Sequence, residues 1–211
     1  GATEALNQAL RSVPRGPIAY SALEHSAVVN AAIASGEEVH ELPAGSDGLV
    51  DPEVPLPEGV GLVAVMQVNN EIGTIQPVER LAARARAAGA LFLCDAVQGA
   101  GKLAPPAEAD LIAVSAHKLH GPKGIGALWV RDGVELAPQV HGGGQEGGLR
   151  SGTLSPALCA GFGAAARLAV QRRESDAELV EDLWRTARST LPGFTLNGSG
   201  EQRWHGNLNL R

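Results

Sequence analysis

Lys118 is the residue on which the chain's candidate chemistry depends. It follows the apolar run Leu111 to Ser115, and Ser115 and His117 stand beside it. A lysine amine can form a Schiff base with an aldehyde, and open α/β sheets bind their ligands at such strand ends. The hydroxyl of Ser115 and the imidazole of His117 can donate to a phosphate. For Lys118 considered alone, a solvated loop lysine is the simpler interpretation. Its neighbouring residues therefore decide whether Lys118 is a functional candidate.

Asp95 is the second candidate, because it ends another apolar run, Ala90 to Cys94. A carboxylate buried there is costly unless a cation compensates it, and a protonated pyridine nitrogen would be such a cation. A ring kept protonated in this way can draw electrons from a substrate carbon. Gln98, three residues later, could reach a phenolic oxygen of the same ring. A role for Asp95 as the cap of the next helical turn is equally compatible with the sequence.

The first residues of the chain offer a place for a phosphate. Gly1, Ala2 and Thr3 precede a helical pattern over Ala5 to Leu10. Free backbone N–H groups and a hydroxyl would therefore meet at the positive end of a helix. A glycine turn before a helix is very common, so by itself this arrangement is weakly specific.

Two further candidates follow predicted strands. His25 begins a helix and could stack on a ring or carry a proton near neutral pH, although a partly exposed cap is the more common role. Asn70 lies in the run Asn69 to Gly73, directly after a buried strand, which brings amide and carboxylate groups to the same edge of the sheet. A tight turn would explain the Asn and Gly residues equally well.

Three competing motif readings are weak. The run Gly121 to Gly126 hints at a dinucleotide loop, but a strand-like segment follows it where a helix is required. The run Gly142 to Gln145 hints at a nucleotide cradle but lacks the Gly-Lys-Ser/Thr ending. His117 and His120 have no cysteine or carboxylate at ligand spacing, so we expect no metal site.

The elements that must position these residues follow from the hydrophobic pattern. Apolar runs of strand length alternate with helical patterns, which predicts an α/β fold with a mainly parallel, mixed sheet flanked by helices. The loop between the last two strands is too short for a helical crossover, so we expect a hairpin there. The predicted strands are 17–21, 39–42, 62–68, 90–94, 111–115 and 125–130, and the predicted helices include 25–35 and 77–88.

The C-terminal third has a different character. The segment His141 to Gly152 is dense in glycine and reads as a functional or interface loop. Ser155 and Pro156 cap a long helical pattern over 158–191, and Pro192 with Gly193 ends it. We therefore predict a large domain over 1–154, a bridging helix over 155–192, and the start of a small α+β domain over 193–211, with strands at 194–196 and 207–210.

Composition narrows the class of protein. Of the 211 residues, 44% are hydrophobic, and the net charge of −6 comes from 23 acidic and 17 basic residues without a basic block. This argues against a nucleic-acid partner or a membrane surface. The longest apolar runs are shorter than a membrane span, and the two cysteines cannot form a disulfide framework, so we expect a cytoplasmic protein. The chain begins at Gly1 without a Met, which suggests part of a longer protein.

Taken together, these segments resemble the cysteine desulfurases of the class-V aminotransferase family, which have the fold-type-I architecture of pyridoxal 5'-phosphate (PLP) enzymes. The resemblance runs in order through nearly the whole chain, and the combination is specific although each piece is not. The segments are Gly1 to Glu4, Glu24-His25, Asn69 to Thr74, Cys94 to Gln98, Ser115 to Gly124, Gly142 to Glu146 and Arg150 to Thr153.

The resemblance implies a role for each candidate. Lys118 would hold PLP as a Schiff base, with Asp95 at the pyridine nitrogen, Gln98 at the phenolic oxygen and His25 stacked on the ring. Asn70 would lie near cofactor and substrate. The phosphate would be held by Ala2, Thr3, Ser115 and His117, and by Thr153 from the partner subunit of a homodimer.

The reaction that the resemblance implies converts L-cysteine to L-alanine. An enzyme thiolate takes the sulfur as a persulfide and passes it to an acceptor protein for iron–sulfur cluster or thio-cofactor synthesis. We interpret both Cys94 and Cys159 as structural, and in the family the reactive cysteine and a substrate-binding arginine come later than Arg211. A selenocysteine lyase, an aminotransferase of the same family, or an inactive binding partner remain alternatives.

Overall fold

The structure is a computed structural model, and it describes residues 1–12 and 16–211. Across these residues six strands form one sheet in the order β2-β1-β3-β4-β5-β6. Strands β1 to β5 are parallel, and β6 pairs antiparallel with β5. The predicted α/β class with a mixed, mainly parallel sheet and a terminal hairpin is therefore confirmed. The strands are Ile18–Ser21 (β1), Val39–Leu42 (β2), Leu62–Met66 (β3), Leu91–Asp95 (β4), Leu111–Ser115 (β5) and Gly126–Val130 (β6).

Helices cover both faces of the sheet. Glycines with positive φ follow two of them, Gly36 and Gly89, as the sequence predicted, because glycine adopts this conformation without steric cost. Short 3₁₀ turns follow β5 and interrupt the glycine-rich loop, at Ala116–Leu119 and Glu146–Gly148. The α-helices are Ala2–Ser12 (α1), Ser26–Ile33 (α2), Val78–Ala87 (α3) and Pro156–Thr190 (α4).

Alternation along the strands divides the core into two clusters. Val63 and Phe92 pack with Cys94 in the cluster on the α3 face, whereas Leu62 and Leu93 pack with α1 and α2 on the other. Because successive side chains in a strand point to opposite faces, Asp95 lies on the same face as Leu93 and therefore on the α1 and α2 side.

The C-terminal segment differs from its prediction. Strands were expected at 194–196 and 207–210, but the structure gives a single antiparallel bridge between Leu196 and Leu210. The backbone of the intervening residues is used elsewhere, because Ile75 N donates to Gln202 O and Trp204 N donates to the carbonyl of Gly73. The segment is thereby tied to the turn after β3.

The long helix α4 is one continuous element of 35 residues. Ser155 caps it as predicted, with its Oγ accepting from Leu158 N at 3.4 Å. Ala165 is the one residue of this helix that the structure buries. Among the described residues, no helix is long and apolar enough to cross a membrane. The bridging role of α4 and the domain boundaries remain predictions.

Candidate active site

A candidate anion-binding corner forms where α1, β5 and β6 meet. Ser115 ends β5 on the same face as Asp95, and its Oγ lies 2.8 Å from Nδ1 of His117. The amino end of α1 is pressed against β6, since a Cβ at Gly126 would lie 2.7 Å from Gly1 C and 2.9 Å from Ala2 N. A Cβ at Gly1 would lie 3.9 Å from Ser115 Oγ. Hydroxyl, imidazole and helix-end N–H groups thus converge, as the sequence predicted.

Thr3 and Lys118 are both exposed beside this corner. Thr3 lies in the first turn of α1, where the helix dipole favours an anion. Lys118 lies in the 3₁₀ turn that leaves β5, and His120 closes that turn with a left-handed φ of 61°. The turn sends the chain back into the antiparallel strand β6 and leaves Lys118 at the carboxyl edge of the sheet.

Asp95 is the last residue of β4 and is 7% exposed. Its Oδ1 accepts from Val97 N at 2.9 Å, so it does cap the following turn. Burial raises the pKa of Asp95, and the Val97 hydrogen bond and the nearby His25 partly oppose that rise. Capping uses one oxygen, and the carboxyl remains a nearly buried group that a cation would stabilise.

His25 is the N-cap of α2. Its Nδ1 accepts from Ala27 N at 3.0 Å, so the neutral ring carries its proton on Nε2. The ring is exposed, and it is close enough to Asp95 for its charge to lower the pKa of that carboxyl. The capping interpretation of His25 is confirmed, and the cap places the ring beside Asp95.

Glu24 is a half-buried residue with an enclosed carboxyl, and it was not among the predicted site residues. Its Oε1 accepts from Met66 N at 2.7 Å, while its Oε2 is inaccessible to solvent and without a partner among the described residues. Burial raises the pKa of Glu24 well above the usual carboxyl range, the Met66 bond lowers it, and Asp95 raises it further. Burial therefore favours the uncharged form of the Glu24 carboxyl beside Asp95. Its position could have indicated a role in the site, since Glu24 directly precedes His25 after a buried strand.

Gln98 and Lys102 form a second pair beside the site. Gln98 is half-buried, and its Oε1 accepts from Nζ of Lys102 at 3.3 Å. The same Nζ lies 5.9 Å from the centre of the Trp204 ring. Burial lowers the pKa of Lys102, and Lys118 lowers it further, so the two amines are close. Lys102 was not among the predicted residues, although its spacing of four from Gln98 could have indicated it.

Asn70 is exposed, and its neighbour Asn69 shapes the turn. Oδ1 of Asn69 accepts from Glu71 N and Ile72 N, both at 2.9 Å. Nδ2 of Asn69 donates to Leu23 O at 3.0 Å, which ties this turn to the segment before His25. The turn interpretation is therefore confirmed for Asn69, while the contact of Asn70 with a ligand stays a prediction.

Thr153 lines a cavity that reaches Gly1 at the amino end of α1. It is exposed in the glycine-rich loop, which Arg150 fastens to α1 through a 2.6 Å ion pair with Glu4. With residues of α1, β6 and α4 it lines this cavity, which has a volume of about 650 Å³ and which Lys118 and Asp95 do not line. The sequence assigned Thr153 to a partner's site, and its exposure is compatible with that prediction.

The two cysteines differ in environment. Cys94 is fully buried, and burial raises its pKa well above the usual thiol value, which fits the predicted structural role. Cys159 is exposed on α4 and lines the cavity beside Thr153, so its surroundings do not indicate a packing role. The interpretation of Cys159 as structural is therefore not supported.

The donor set fits a ligand with three distinct groups. Hydroxyl, imidazole and helix-end N–H groups suit a phosphate, a nearly buried carboxyl suits a protonated ring nitrogen, and a lysine amine suits an aldehyde. All three lie at the carboxyl edge of β4 and β5, where α/β sheets bind ligands. Fold and site together give an α/β protein whose donor groups suit a phosphorylated small molecule with a ring nitrogen and an aldehyde.

The chain belongs to the class-V aminotransferase family, which it matches over residues 1–204. The mitochondrial cysteine desulfurase of Arabidopsis thaliana is 40% identical over all of this chain and 51% of its own length. Cysteine desulfurase IscS of Anaeromyxobacter sp. (strain Fw109-5) is 45% identical over 89% of this chain and 50% of its own length. The chain thus spans about half the length of these relatives.

A solved structure has the same fold. DndA from Streptomyces lividans superimposes with a TM-score of 0.91 at 36% identity, and the match covers all of this chain and 65% of that one. The resemblance to cysteine desulfurases drawn from the sequence is therefore confirmed, as is the expected architecture of the large domain.

Proposed function

We propose that this chain is the cofactor-binding part of a PLP-dependent cysteine desulfurase. The observation that carries the proposal is the placement of Asp95 and Ser115 on one face of adjacent parallel strands, each at the carboxyl end, with Lys118 directly beyond the second. The names of the relatives support cysteine as the substrate. L-alanine is what remains of L-cysteine when the sulfur is removed and replaced by hydrogen.

The residues that would hold PLP divide by chemistry. Ser115, His117 and the amino end of α1, with Ala2 and Thr3, would bind the phosphate. Asp95 would face the pyridine nitrogen, and Lys118 would bind covalently. Gln98, His25 and Asn70 would contact the phenolic oxygen, the ring face and the substrate side, respectively.

Bound PLP would supply an aldehyde for the substrate amine and an electron sink for negative charge at the substrate α-carbon. Asp95 would sustain that sink, because its carboxylate favours a protonated ring nitrogen. Once displaced by substrate, the Lys118 amine would take the α-proton, and its position in an exposed turn leaves it free to move. His25, with its proton on Nε2, could donate to the substrate.

The sulfur step needs a thiol. Cysteine and an enzyme thiol give alanine and a persulfide, so the thiol hydrogen replaces the substrate sulfur and no external oxidant is required. Cys94 is buried on the opposite face of the sheet from Asp95, and Cys159 lines the cavity beside Thr153, which Asp95 and Lys118 do not line. The proposal therefore assigns sulfur acceptance to a cysteine other than these two, and onward transfer to an acceptor protein.

Assembly and location complete the proposal. We infer a homodimer in which Thr153 contacts the phosphate of the partner's site, working in the cytoplasm on iron–sulfur or thio-cofactor synthesis. The exposure of Thr153 and of the glycine-rich loop supports this arrangement. Light scattering with and without PLP tests the dimer, and cell fractionation tests the location.

Trapping the cofactor tests the proposed function. The purified chain is incubated with PLP, reduced with borohydride and digested, and the labelled peptide is identified by mass spectrometry. We expect a yellow protein labelled on Lys118, and a Lys118→Arg variant without that label. The exposed Lys123 provides the matched control, since Lys123→Arg should label normally. A colourless protein, or label spread over all lysines, would leave an inactive binding protein as the better interpretation.

A further inference from the structure

Lys102 has partners that constrain another side chain of the site. It is half-buried, its Nζ donates to Oε1 of Gln98 at 3.3 Å, and the Trp204 ring lies 5.9 Å from the same nitrogen. A lysine ammonium has three donors and no acceptor, so of the two ends of the Gln98 amide it can pair only with the oxygen. The amide is therefore held with Oε1 toward Lys102 and Nε2 turned away.

Orientation matters because the two ends of an amide have opposite chemistry. With Nε2 facing the site, Gln98 donates a hydrogen bond, and with Oε1 facing the site it only accepts. A phenolate oxygen needs a donor, since an opposing amide oxygen would repel it. Nothing in Gln98 itself prefers one orientation, so the choice depends on a neighbour.

We propose that Lys102 is a positioning residue that fixes the Gln98 amide so that Nε2 donates to the phenolic oxygen of the bound cofactor. This inference rests on the proposed function. Trp204 contributes by covering Lys102 and keeping its ammonium against Gln98. The proximity of Lys118 is consistent with this arrangement, because it places the Lys102 and Gln98 pair beside the covalent attachment point.

A double-mutant cycle in the full chain separates positioning from a direct charge effect. The variants Lys102→Met, Gln98→Ala and their combination are titrated with PLP, with the dissociation constant and the pH midpoint of the visible absorption band as readouts. We expect K102M to weaken PLP binding about tenfold in the parent. In the Q98A background the same change should alter binding by less than about twofold, because no amide remains to orient.

Two companion variants keep the test decisive. Lys102→Arg retains a cationic donor and should restore binding to within about threefold of the parent. Gln98→Glu keeps a partner for Lys102, so it should fold normally, yet it has no donor and should weaken binding at least about tenfold. Lys123→Met is the control for loss of a lysine charge and should change neither readout.

The outcomes are distinct. Equal effects of K102M in both backgrounds, or parental binding by Q98E, would overturn the positioning role while Lys118 still carried the label. Absence of any visible band in the parent would overturn the proposed function itself, and the inference with it.

Discussion

The backbone N–H of Met66 donates to Oε1 of Glu24, and it does so from the strand position directly opposite Asp95. This hydrogen bond anchors the segment before His25 to the strand beside the candidate ring-binding carboxyl. Since Oε2 of Glu24 is enclosed and has no partner among the described residues, ionisation there would place an unpaired charge beside a second acid. Burial therefore favours the uncharged form of this carboxyl.

Glu24→Gln should therefore stabilise the protein at high pH. Because burial raises the pKa of Glu24, its stabilising contribution is complete below the unfolded pKa and is lost as pH rises through the folded pKa. An amide never ionises, so we expect the Tm of E24Q to exceed that of the parent by roughly 2–4 °C at about pH 9 and to equal it at about pH 4. Circular dichroism melts measure this difference.

The exposed Glu58 provides the control for this comparison. The difference in Tm between Glu58→Gln and the parent should be the same at about pH 4 and about pH 9. If E24Q were less stable than the parent at high pH, Glu24 would have to be ionised and paired, contrary to the structure.

Asp95→Asn should separate the two roles of Asp95. Asn can still accept from Val97 N, so the turn cap survives, while the charge is lost. We expect an unchanged or higher Tm without cofactor, since burial of a carboxyl no longer opposes folding, and PLP binding weaker by at least about tenfold. Asp95→Ala loses the cap as well and should cost about 1 kcal/mol of stability.

Asp51 is a matched capping aspartate, because its Oδ1 accepts from Glu53 N at 2.9 Å in an exposed turn. Asp51→Asn should change neither stability nor PLP binding. Parental PLP affinity in D95N would show that the carboxyl does not face the ring nitrogen.

Gly126→Ala should push α1 away from the anion-binding corner. Its Cβ would meet three backbone atoms, at 2.6 Å from Val114 O, 2.7 Å from Gly1 C and 2.9 Å from Ala2 N, and none can move independently. We expect the free energy of unfolding to fall by roughly 2 kcal/mol. The affinity for inorganic phosphate or PLP should also fall in the fraction that remains folded. Gly193 has open space around it, so Gly193→Ala should be neutral.

Arg203→Met should release the C-terminal segment from the turn after β3. Arg203 is 4% exposed, and its guanidinium donates to the carbonyls of Ile72, Asn197, Ser199 and Asn207. Loss of these bonds should cost roughly 3 kcal/mol, visible as a lower Tm and as faster hydrogen exchange near Ile72. Arg172→Met, which removes an exposed ion pair with Asp176, should change stability by less than about 0.5 kcal/mol.

The sheet was predictable because its signal is periodic and local. Runs such as Leu62 to Met66 are buried on both faces and read as strands, and the glycines after α2 and α3 marked the helix ends. The strands predicted at 194–196 and 207–210 reduce to one antiparallel bridge between Leu196 and Leu210. Hydrophobic alternation also could not reveal that residues 202 and 204 bond to the turn after β3.

The candidate site was predictable where a strand end places a residue, as for Asp95 and Ser115. It was not predictable where a residue acts through a long-range contact. Glu24 and Lys102 acquire their roles from Met66 and Trp204, which lie 42 and 102 residues away in sequence, and no local pattern encodes such a meeting. The exposure of Cys159 likewise depends on how α4 packs.

The pleat of β4 has a chemical consequence for the site. Thiols add readily to aldehydes, so a free cysteine on the same face as Asp95 would compete for the aldehyde that Lys118 is proposed to bind. Because Cys94 points into the α3 side of the core, the backbone of β4 separates its thiol from the candidate site on the opposite face. A one-residue register slip in β4 would place the Cys94 thiol on the face where Asp95 now lies. The thiol could then add to the aldehyde and block the site.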